Sequence, residues 1–251
     1  MYVVYTNLVG GQDELVFDGN STIFDKNGNV IFSAPAFKEG LFETCITLED
    51  EKKKNKIKID NQNLNEEESV YSALRLGVKD YVKKNNFQGV VIGLSGGIDS
   101  ALTLCIAVDA LGSENVKALI MPSRYTAKMS IDDASALAER LNVPYEIISI
   151  EPLFSTFLET LKPSFKKSTV DTTEENIQAR IRGILLMAIS NKYNKLVLTT
   201  GNKSEMSVGY ATLYGDMAGG YSPLKDVWKT LVYKLAKWRN QKIEVIPKNI
   251  I

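Results

Sequence analysis

The stretch Val90-Val91-Ile92-Gly93-Leu94-Ser95-Gly96-Gly97-Ile98-Asp99-Ser100 decides how this chain is read. An apolar run of strand character passes through a glycine turn into a helix-like stretch, Ala101–Leu111. A buried strand, a tight turn and a helix N-terminus together make an anion site. The free backbone N–H groups point outward there, and the helix dipole favours negative charge. Gly96 and Gly97 let an oxyanion approach the backbone, Ser95 and Ser100 add hydroxyl donors, and Asp99 can hold a magnesium ion. The expected guest is a magnesium-bound polyphosphate. A turn that merely joins strand to helix would not call for the Asp-Ser ending. The loop lacks the lysine of the common Walker A phosphate loop, and it is not the G-x-G-x-x-G of dinucleotide-binding domains.

Working outward, strands and helices alternate. Strand Val116–Met121 leads into a helix over Ser130–Leu141, with Ser130 as its N-cap and Asp133 three residues on in capping-box style. Strand Tyr145–Ile150, a short helix near Leu153–Leu161, a polar loop to Thr173 and a long helix over Glu174–Asn191 follow. Strand Leu196–Thr199 and a last helix, Val227–Trp238, complete the series. Repeated βα units predict an α/β fold, a doubly wound, mostly parallel sheet with helices on both faces. Ligands of such sheets bind beyond the carboxyl ends of the strands, where the glycine loop falls.

Upstream, Asn65 is placed to cap a helix whose first turn holds Glu66-Glu67-Glu68. Val70, Leu74, Val78 and Val82 recur every four residues and carry that helix to about Lys84. Residues 49–65, dominated by Lys, Glu, Asp and Asn, read as a charged linker. Residues 1–48 read as β-rich, with short strands Val3–Leu8, Glu14–Phe17, Ser21–Asp25 and Val30–Ser33. Lys26-Asn27-Gly28-Asn29 carries the signal of a hairpin turn. So short a piece cannot bury a core of its own.

Composition narrows the classes of function. With 44% hydrophobic residues the chain is globular, and thirty basic residues balance thirty acidic ones. A net charge of zero gives no field directed at nucleic acid, and Lys52–Lys54 and Lys166–Lys167 read as solvated faces. The chain has no histidine, which removes histidine triads, histidine metal sites and histidine acid–base chemistry together. Cys45 and Cys105 are too few for a disulfide framework or a cysteine zinc site, and Cys105 sits in an apolar helix as a small core residue. Neither a signal peptide nor a long apolar run is visible, so the expectation is a cytoplasmic protein without a membrane partner.

Ser95-Gly96-Gly97-Ile98-Asp99-Ser100 resembles the pyrophosphate loop of the ATP pyrophosphatase superfamily. That resemblance implies a grip on the β- and γ-phosphates of ATP while the α-phosphate is attacked. Three further segments narrow it: Asn176-Ile177-Gln178-Ala179-Arg180, Thr199-Thr200-Gly201-Asn202-Lys203-Ser204-Glu205, and Tyr214-Gly215-Asp216-Met217-Ala218-Gly219-Gly220 ahead of the helix carrying Lys229. In this order and spacing, from about Glu67 to Asn240, they resemble the synthetase domain of NAD synthetases, more closely the glutamine-dependent form. The opening segment Tyr5–Ser21 is similar to the tail of the nitrilase-like amidase domain of that form.

The resemblance implies that ATP adenylylates the nicotinate carboxylate of deamido-NAD, that pyrophosphate leaves, and that ammonia then gives NAD and AMP. It assigns Ser95, Gly96, Gly97, Ser100 and Thr200 to ATP, and Asn176, Arg180 and Asp216 to deamido-NAD. Asp99 and Glu205 are assigned to Mg2+, and Lys229, with Asp99, to catalysis at the phosphates. An adenine pocket is expected around Pro122 to Arg124. The Cys-Glu-Lys triad that releases ammonia from glutamine belongs upstream of Met1 in the family pattern, and Cys45 is not in the nucleophile's context. Three domains are expected: 1–48 as an amidase remnant, 49–65 as linker, and 66–251 as a synthetase domain shortened at its C-terminus. The whole reads as an internal piece of a longer protein, and a homodimer or higher homo-oligomer is implied. The competing readings are a non-catalytic piece that binds ATP or dimerises, or another adenylating enzyme of GMP synthetase or tRNA thiolase type.

Overall fold

The computed structural model describes residues 1–46, 58–59, 64–166 and 168–251. Most of the expected linker, with Lys52–Lys54, and Lys167 lie outside the described residues. The chain divides into two compact units, Met1–Asp80 and Tyr81–Ile251.

In the first unit, β1 (Val3–Tyr5), β4 (Thr22–Phe24), β5 (Val30–Ser33) and β6 (Lys58–Ile59) form one sheet in that order. The hairpin expected at Lys26–Asn29 joins β4 to β5. The Asp25 carboxylate fastens that turn, accepting from the N–H groups of Asn27 and Asn29 at 2.8 Å and from the Asn29 amide at 2.9 Å. The expected strand Val3–Leu8 is shorter in the structure, and a separate strand, β2 (Val9–Gln12), pairs antiparallel with β3 (Leu15–Asp18). Gly10 and Gly11 fall between the expected strands Val3–Leu8 and Glu14–Phe17 but are buried in β2. A Cβ on Gly11 would stand 3.2 Å from the Cβ of Asp80 and 3.3 Å from the Cα of Gly77 on helix α1 (Glu66–Lys84). The glycine therefore serves close strand–helix approach, and its N–H donates to the Asp80 carboxylate at 2.8 Å. Asn65 caps α1 as expected, its side-chain oxygen accepting from the Glu68 N–H at 2.8 Å.

The second unit is the expected α/β fold. Strands β7 (Val90–Gly93), β8 (Val116–Ile120), β9 (Tyr145–Ile147) and β10 (Leu196–Leu198) form a parallel sheet in the order β10-β7-β8-β9. Side chains alternate across it. Val91, Leu119 and Val197 point into a core cluster with Phe154 of α4 (Glu151–Phe165) and Ile177 and Ile181 of α5 (Thr172–Tyr193). The alternate set Val90, Ile92 and Ala118 is equally buried, where α2 (Ile98–Leu111) packs on β7, β8 and α7 (Lys229–Lys242). Both faces are covered, which is why the strands read as near-continuous apolar runs. From β7 the order runs to β8 and β9 on one side and to β10 on the other. The carboxyl ends of β7 and β10 therefore flank a topological switch point, the usual ligand crevice of such sheets.

Several boundaries differ from expectation. Ser130 is not an N-cap. Helix α3 (Lys128–Arg140) starts two residues earlier behind an extended Ala127, and the Ser130 N–H already donates to the Ala127 carbonyl at 3.1 Å. A Ser123–Thr126 turn aims the chain into that helix, with the Ser123 N–H donating to the Thr126 hydroxyl at 3.0 Å. Helix α4 begins earlier than Leu153, since Pro152 in its first turn removes only an N–H that would have no helical partner. Helix α7 begins at Lys229, leaving Val227 and Trp228 outside it. A short helix, α6 (Lys203–Val208), occupies what reads in sequence as loop. Cys105 is fully buried as expected, and burial pushes its thiol up to about 12.

Candidate functional site

The loop after β7 is knitted by its own serines. The Ser95 and Ser100 hydroxyls lie 3.1 Å apart, and Ser100 also donates to the Gly97 carbonyl at 2.9 Å. The Gly97 N–H donates to the Ser95 hydroxyl at 3.2 Å, and Gly97 is the N-cap of α2 without any side-chain cap. An uncapped helix start presents backbone donors to the cleft, the arrangement an anion needs. Gly96 has φ +82°, and a Cβ there would stand 2.4 Å from the Ser130 carbonyl oxygen. Only glycine fits both the conformation and the space.

Asn202, at the end of the chain leaving β10, ties the loop to its opposite wall. Its side chain is wholly buried. The Asn202 side-chain oxygen accepts from the Glu205 N–H at 3.1 Å, and Glu205 returns the bond by accepting from the Asn202 N–H at 3.1 Å. This reciprocal capping box starts α6. The remaining Asn202 amide donates to the Asp99 carboxylate at 2.9 Å. One residue thus sets the spacing of the two carboxylates expected to face a metal, holding Asp99 by its side-chain amide and Glu205 by its backbone N–H. The other Asp99 oxygen accepts from the Lys229 ammonium at the head of α7. The Lys229 N–H in turn donates to the Ser204 hydroxyl at 3.1 Å.

The far wall is α5 with the loop from Gly209 to Met217. The Thr212 hydroxyl donates to the Asn176 side-chain oxygen at 2.8 Å, holding that loop to the helix. Between the walls lies a cleft of about 470 Å³. Of the residues expected from sequence, Ser95, Asp99, Ser100, Thr200, Glu205, Asn176 and Asp216 line it together. Gly96 and Gly97 shape its loop without lining it, and Lys229 reaches it through Asp99. Arg180 is not among the lining residues. It is exposed, and its guanidinium donates to the Leu213 carbonyl at 3.2 Å, bracing the loop from outside.

Sequence reasoning missed Arg182, which lines both the cleft and an adjoining 170 Å³ pocket beneath the strand ends. Its guanidinium donates to the Met121 carbonyl at 3.1 Å. Burial lowers its pKa while Asp216 opposes that shift. Burial likewise raises the Asp216 carboxyl, against the pull of Arg182. Helix spacing alone does not single it out, because Arg182 follows Glu175 by seven residues and Arg180 follows Asn176 by four. Asn202 was also overlooked, although Asn202 followed by Glu205 is a legible capping box. In the region expected to hold adenine, the Arg124 guanidinium donates to Glu151 at 2.8 Å, and the Arg124 N–H does so at 3.1 Å. Those hydrogen bonds hold the Glu151 carboxyl at about 2.

The donor set suits magnesium. Asp99 and Glu205 are hard oxygen donors on the same cleft wall, and no cluster of three or more metal-ligating side chains occurs among the described residues. Magnesium keeps several waters and shares substrate phosphates, so two carboxylates are enough for it. No described helix is long and apolar enough to cross a membrane.

Comparison with known proteins agrees with this architecture. A family model described as NAD synthase matches residues 70–251. The chain is 50% identical over its whole length to a glutamine-dependent NAD(+) synthetase of Acinetobacter baylyi, covering 46% of that protein. A solved glutamine-dependent NAD+ synthetase from Acinetobacter baumannii, in complex with ADP, superposes with a TM-score of 0.89 at 47% identity. It covers all of this chain, which spans 48% of it. An NH3-dependent NAD synthetase from Campylobacter jejuni, in complex with nitrate, gives a TM-score of 0.67 at 37% identity over 74% of this chain and 76% of its own. The chain spans about half the length of the curated relatives it matches. With the family model covering most of the chain, and the serine–glycine loop, Asn202 and the α5 wall meeting within that match, this chain belongs to the NAD synthase family.

Proposed function

We propose that this chain carries the ATP-dependent amidation of deamido-NAD to NAD through an adenylylated nicotinate carboxylate. The observation that carries this reading is the convergence of Ser95, Asp99, Thr200, Glu205, Asn176 and Asp216 on one cleft at the switch point of the sheet. A nicotinate carboxylate is a poor electrophile at neutral pH. Attack by one of its oxygens on the α-phosphorus of ATP forms a C–O–P bond and breaks the α–β phosphoanhydride, and pyrophosphate leaves with the electron pair. Ammonia then attacks the acyl carbon, a C–N bond forms, a proton is released and AMP departs.

The residues bind and align rather than supply acid–base chemistry, so a chain without histidine loses nothing. The Ser95–Ser100 loop and the start of α2 receive the β- and γ-phosphates. Lys229 contributes a compact positive charge to the same end. Asp99 and Glu205 would hold Mg2+, which when bound neutralises charge on the phosphates. Thr200 contacts ATP, while Asn176, Asp216 and Arg180 orient deamido-NAD, with Arg180 acting through the Leu213 loop. Arg182 and Asp216 set opposite charges into a pocket otherwise walled largely by Leu94, Met121, Leu186, Leu198 and Met217.

Residues 66–251 are the synthetase part of this reading, and residues 1–48 are the tail of a nitrilase-like amidase domain. The reach of the comparisons supports that division. The glutamine-dependent relative matches the whole chain, whereas the NH3-dependent structure matches 74% of it. Ammonia is the nitrogen donor of this reading, released from glutamine in the glutamine-dependent form, and a homodimer or higher homo-oligomer is the expected assembly. Isotope transfer tests the chemistry. With 18O in the nicotinate carboxylate, one labelled oxygen should appear in the phosphate of AMP. AMP without label would refute adenylylation.

A further inference from the structure

Helices α2 and α7 are each 14 residues long, and two ion pairs join them at one sequence offset. Asp99 meets Lys229 and Asp109 meets Arg239, and in both pairs the partners are 130 residues apart. An equal offset requires the two helices to run side by side in the same direction. Ten residues, about 15 Å of helix rise, separate one pair from the other. Both helix N-termini therefore open at the cleft end, where their positive ends add to the Lys229 ammonium. Parallel helix dipoles repel one another, so side chains must impose this alignment.

The two pairs are unequal as fasteners. Lysine offers a point charge on a flexible stem and tolerates axial slip. Arginine offers a planar fork that does not. The Arg239 Nε donates to one Asp109 oxygen at 2.6 Å and its Nη2 donates to the other at 3.0 Å. Arg239 is buried, 9% exposed, and α7 otherwise buries Val232, Leu235 and Ala236, whose apolar contacts set closeness but not register. At its other end α7 is fixed by the Lys229 N–H on Ser204. Neither Asp109 nor Arg239 lines the cleft.

We propose that Asp109 and Arg239 are positioning residues, whose fork fixes the axial register of α7 on α2 and so sets where the Lys229 ammonium stands beside Asp99 and the phosphate loop. This rests on the reading of that loop as a polyphosphate site. A double-mutant cycle on the full chain tests it, with inorganic pyrophosphate and ATP as calorimetric probes and the thermal midpoint recorded for every variant. Arg239→Lys should weaken pyrophosphate binding about tenfold, within the range of coupled networks. The same change in a Lys229→Met background should have no further effect on binding. A second variant, Asp109→Leu with Arg239→Met, replaces the pair by apolar groups and should keep the thermal midpoint close to the parent. It should nonetheless bind pyrophosphate as weakly as Arg239→Lys. Equal losses from Arg239→Lys in both backgrounds, or normal binding by the apolar pair, would overturn the positioning role. A parent chain that binds neither probe would instead overturn the polyphosphate reading, and the first titration separates the two results.

Discussion

Replacing Asn202 by alanine should both loosen the fold and disarm the cleft, because one buried side chain carries two bonds of different kinds. The first is the cap on α6 at 3.1 Å, and loss of such a cap costs about 1 kcal/mol. The second is the amide bond to the Asp99 carboxylate at 2.9 Å, and a hydrogen bond to a charged group is worth about 1.5–3 kcal/mol. Together they amount to about 2.5–4 kcal/mol, which for a unit of this size lowers the thermal midpoint by roughly 5–15 °C. Circular dichroism melts read the stability, and deamido-NAD-dependent ATP–pyrophosphate exchange reads the site. Asn202→Ser separates the two bonds. Serine caps as well as asparagine but is too short to reach Asp99, so it should recover about 1 kcal/mol of stability while exchange stays low. An alanine variant melting within about 1 °C of the parent, with unchanged exchange, would refute the claim that Asn202 spaces Asp99 from Glu205.

Further outcomes follow from the same geometry. Gly96→Ala forces a positive φ on a side chain whose Cβ would stand 2.4 Å from the Ser130 carbonyl oxygen, so the loop must shift. ATP binding measured by calorimetry should fall at least tenfold, with a modest loss of stability of about 1–3 kcal/mol. Asp99→Asn and Glu205→Gln each keep the shape of a cleft carboxylate and remove its charge. Both should abolish exchange and leave far-UV dichroism unchanged, and normal exchange in either would remove that residue from the metal-binding role. Glu151 is held at about 2 by hydrogen bonds from Arg124, well below its ordinary 4.5. Because the folded-state value is depressed, its contribution is complete above about pH 4.5 and is lost as pH falls through about 2. Carboxyl 13C titration should show this, and Arg124→Gln should return the midpoint toward 4.5.

Much of the second unit was legible because burial on both faces writes strands as apolar runs, and Val90–Leu94 and Val116–Met121 could hardly be read otherwise. Asn65 and the Lys26–Asn29 turn were legible because their signals are local hydrogen-bond chemistry. Ser130 misled for the complementary reason. A serine before an apolar-periodic stretch looks like a cap, but after the Ser123–Thr126 turn and an extended Ala127 the helix already begins at Lys128. Gly11 fell outside the expected strands because its close approach to α1 is a tertiary fact that leaves no local pattern. In the site, the Ser95–Ser100 loop with Asp99 declares itself by chemistry and Glu205 is named by the resemblance, whereas Arg182 and Arg180 both stand at helical spacing from cleft residues. The choice between them depends on where α5 meets Asp216 and Leu213, which no local pattern records. The partnership of Asp109 with Arg239 spans 130 residues and shows only once α2 and α7 lie side by side.

The most direct test of the central claim is exchange of labelled pyrophosphate into ATP by this chain, measured with and without deamido-NAD and in the absence of any ammonia. Exchange that appears only with deamido-NAD is the predicted result, since an acyl adenylate must form reversibly at the cleft before nitrogen arrives. Exchange independent of deamido-NAD, or none from a chain that binds both ligands, would contradict it.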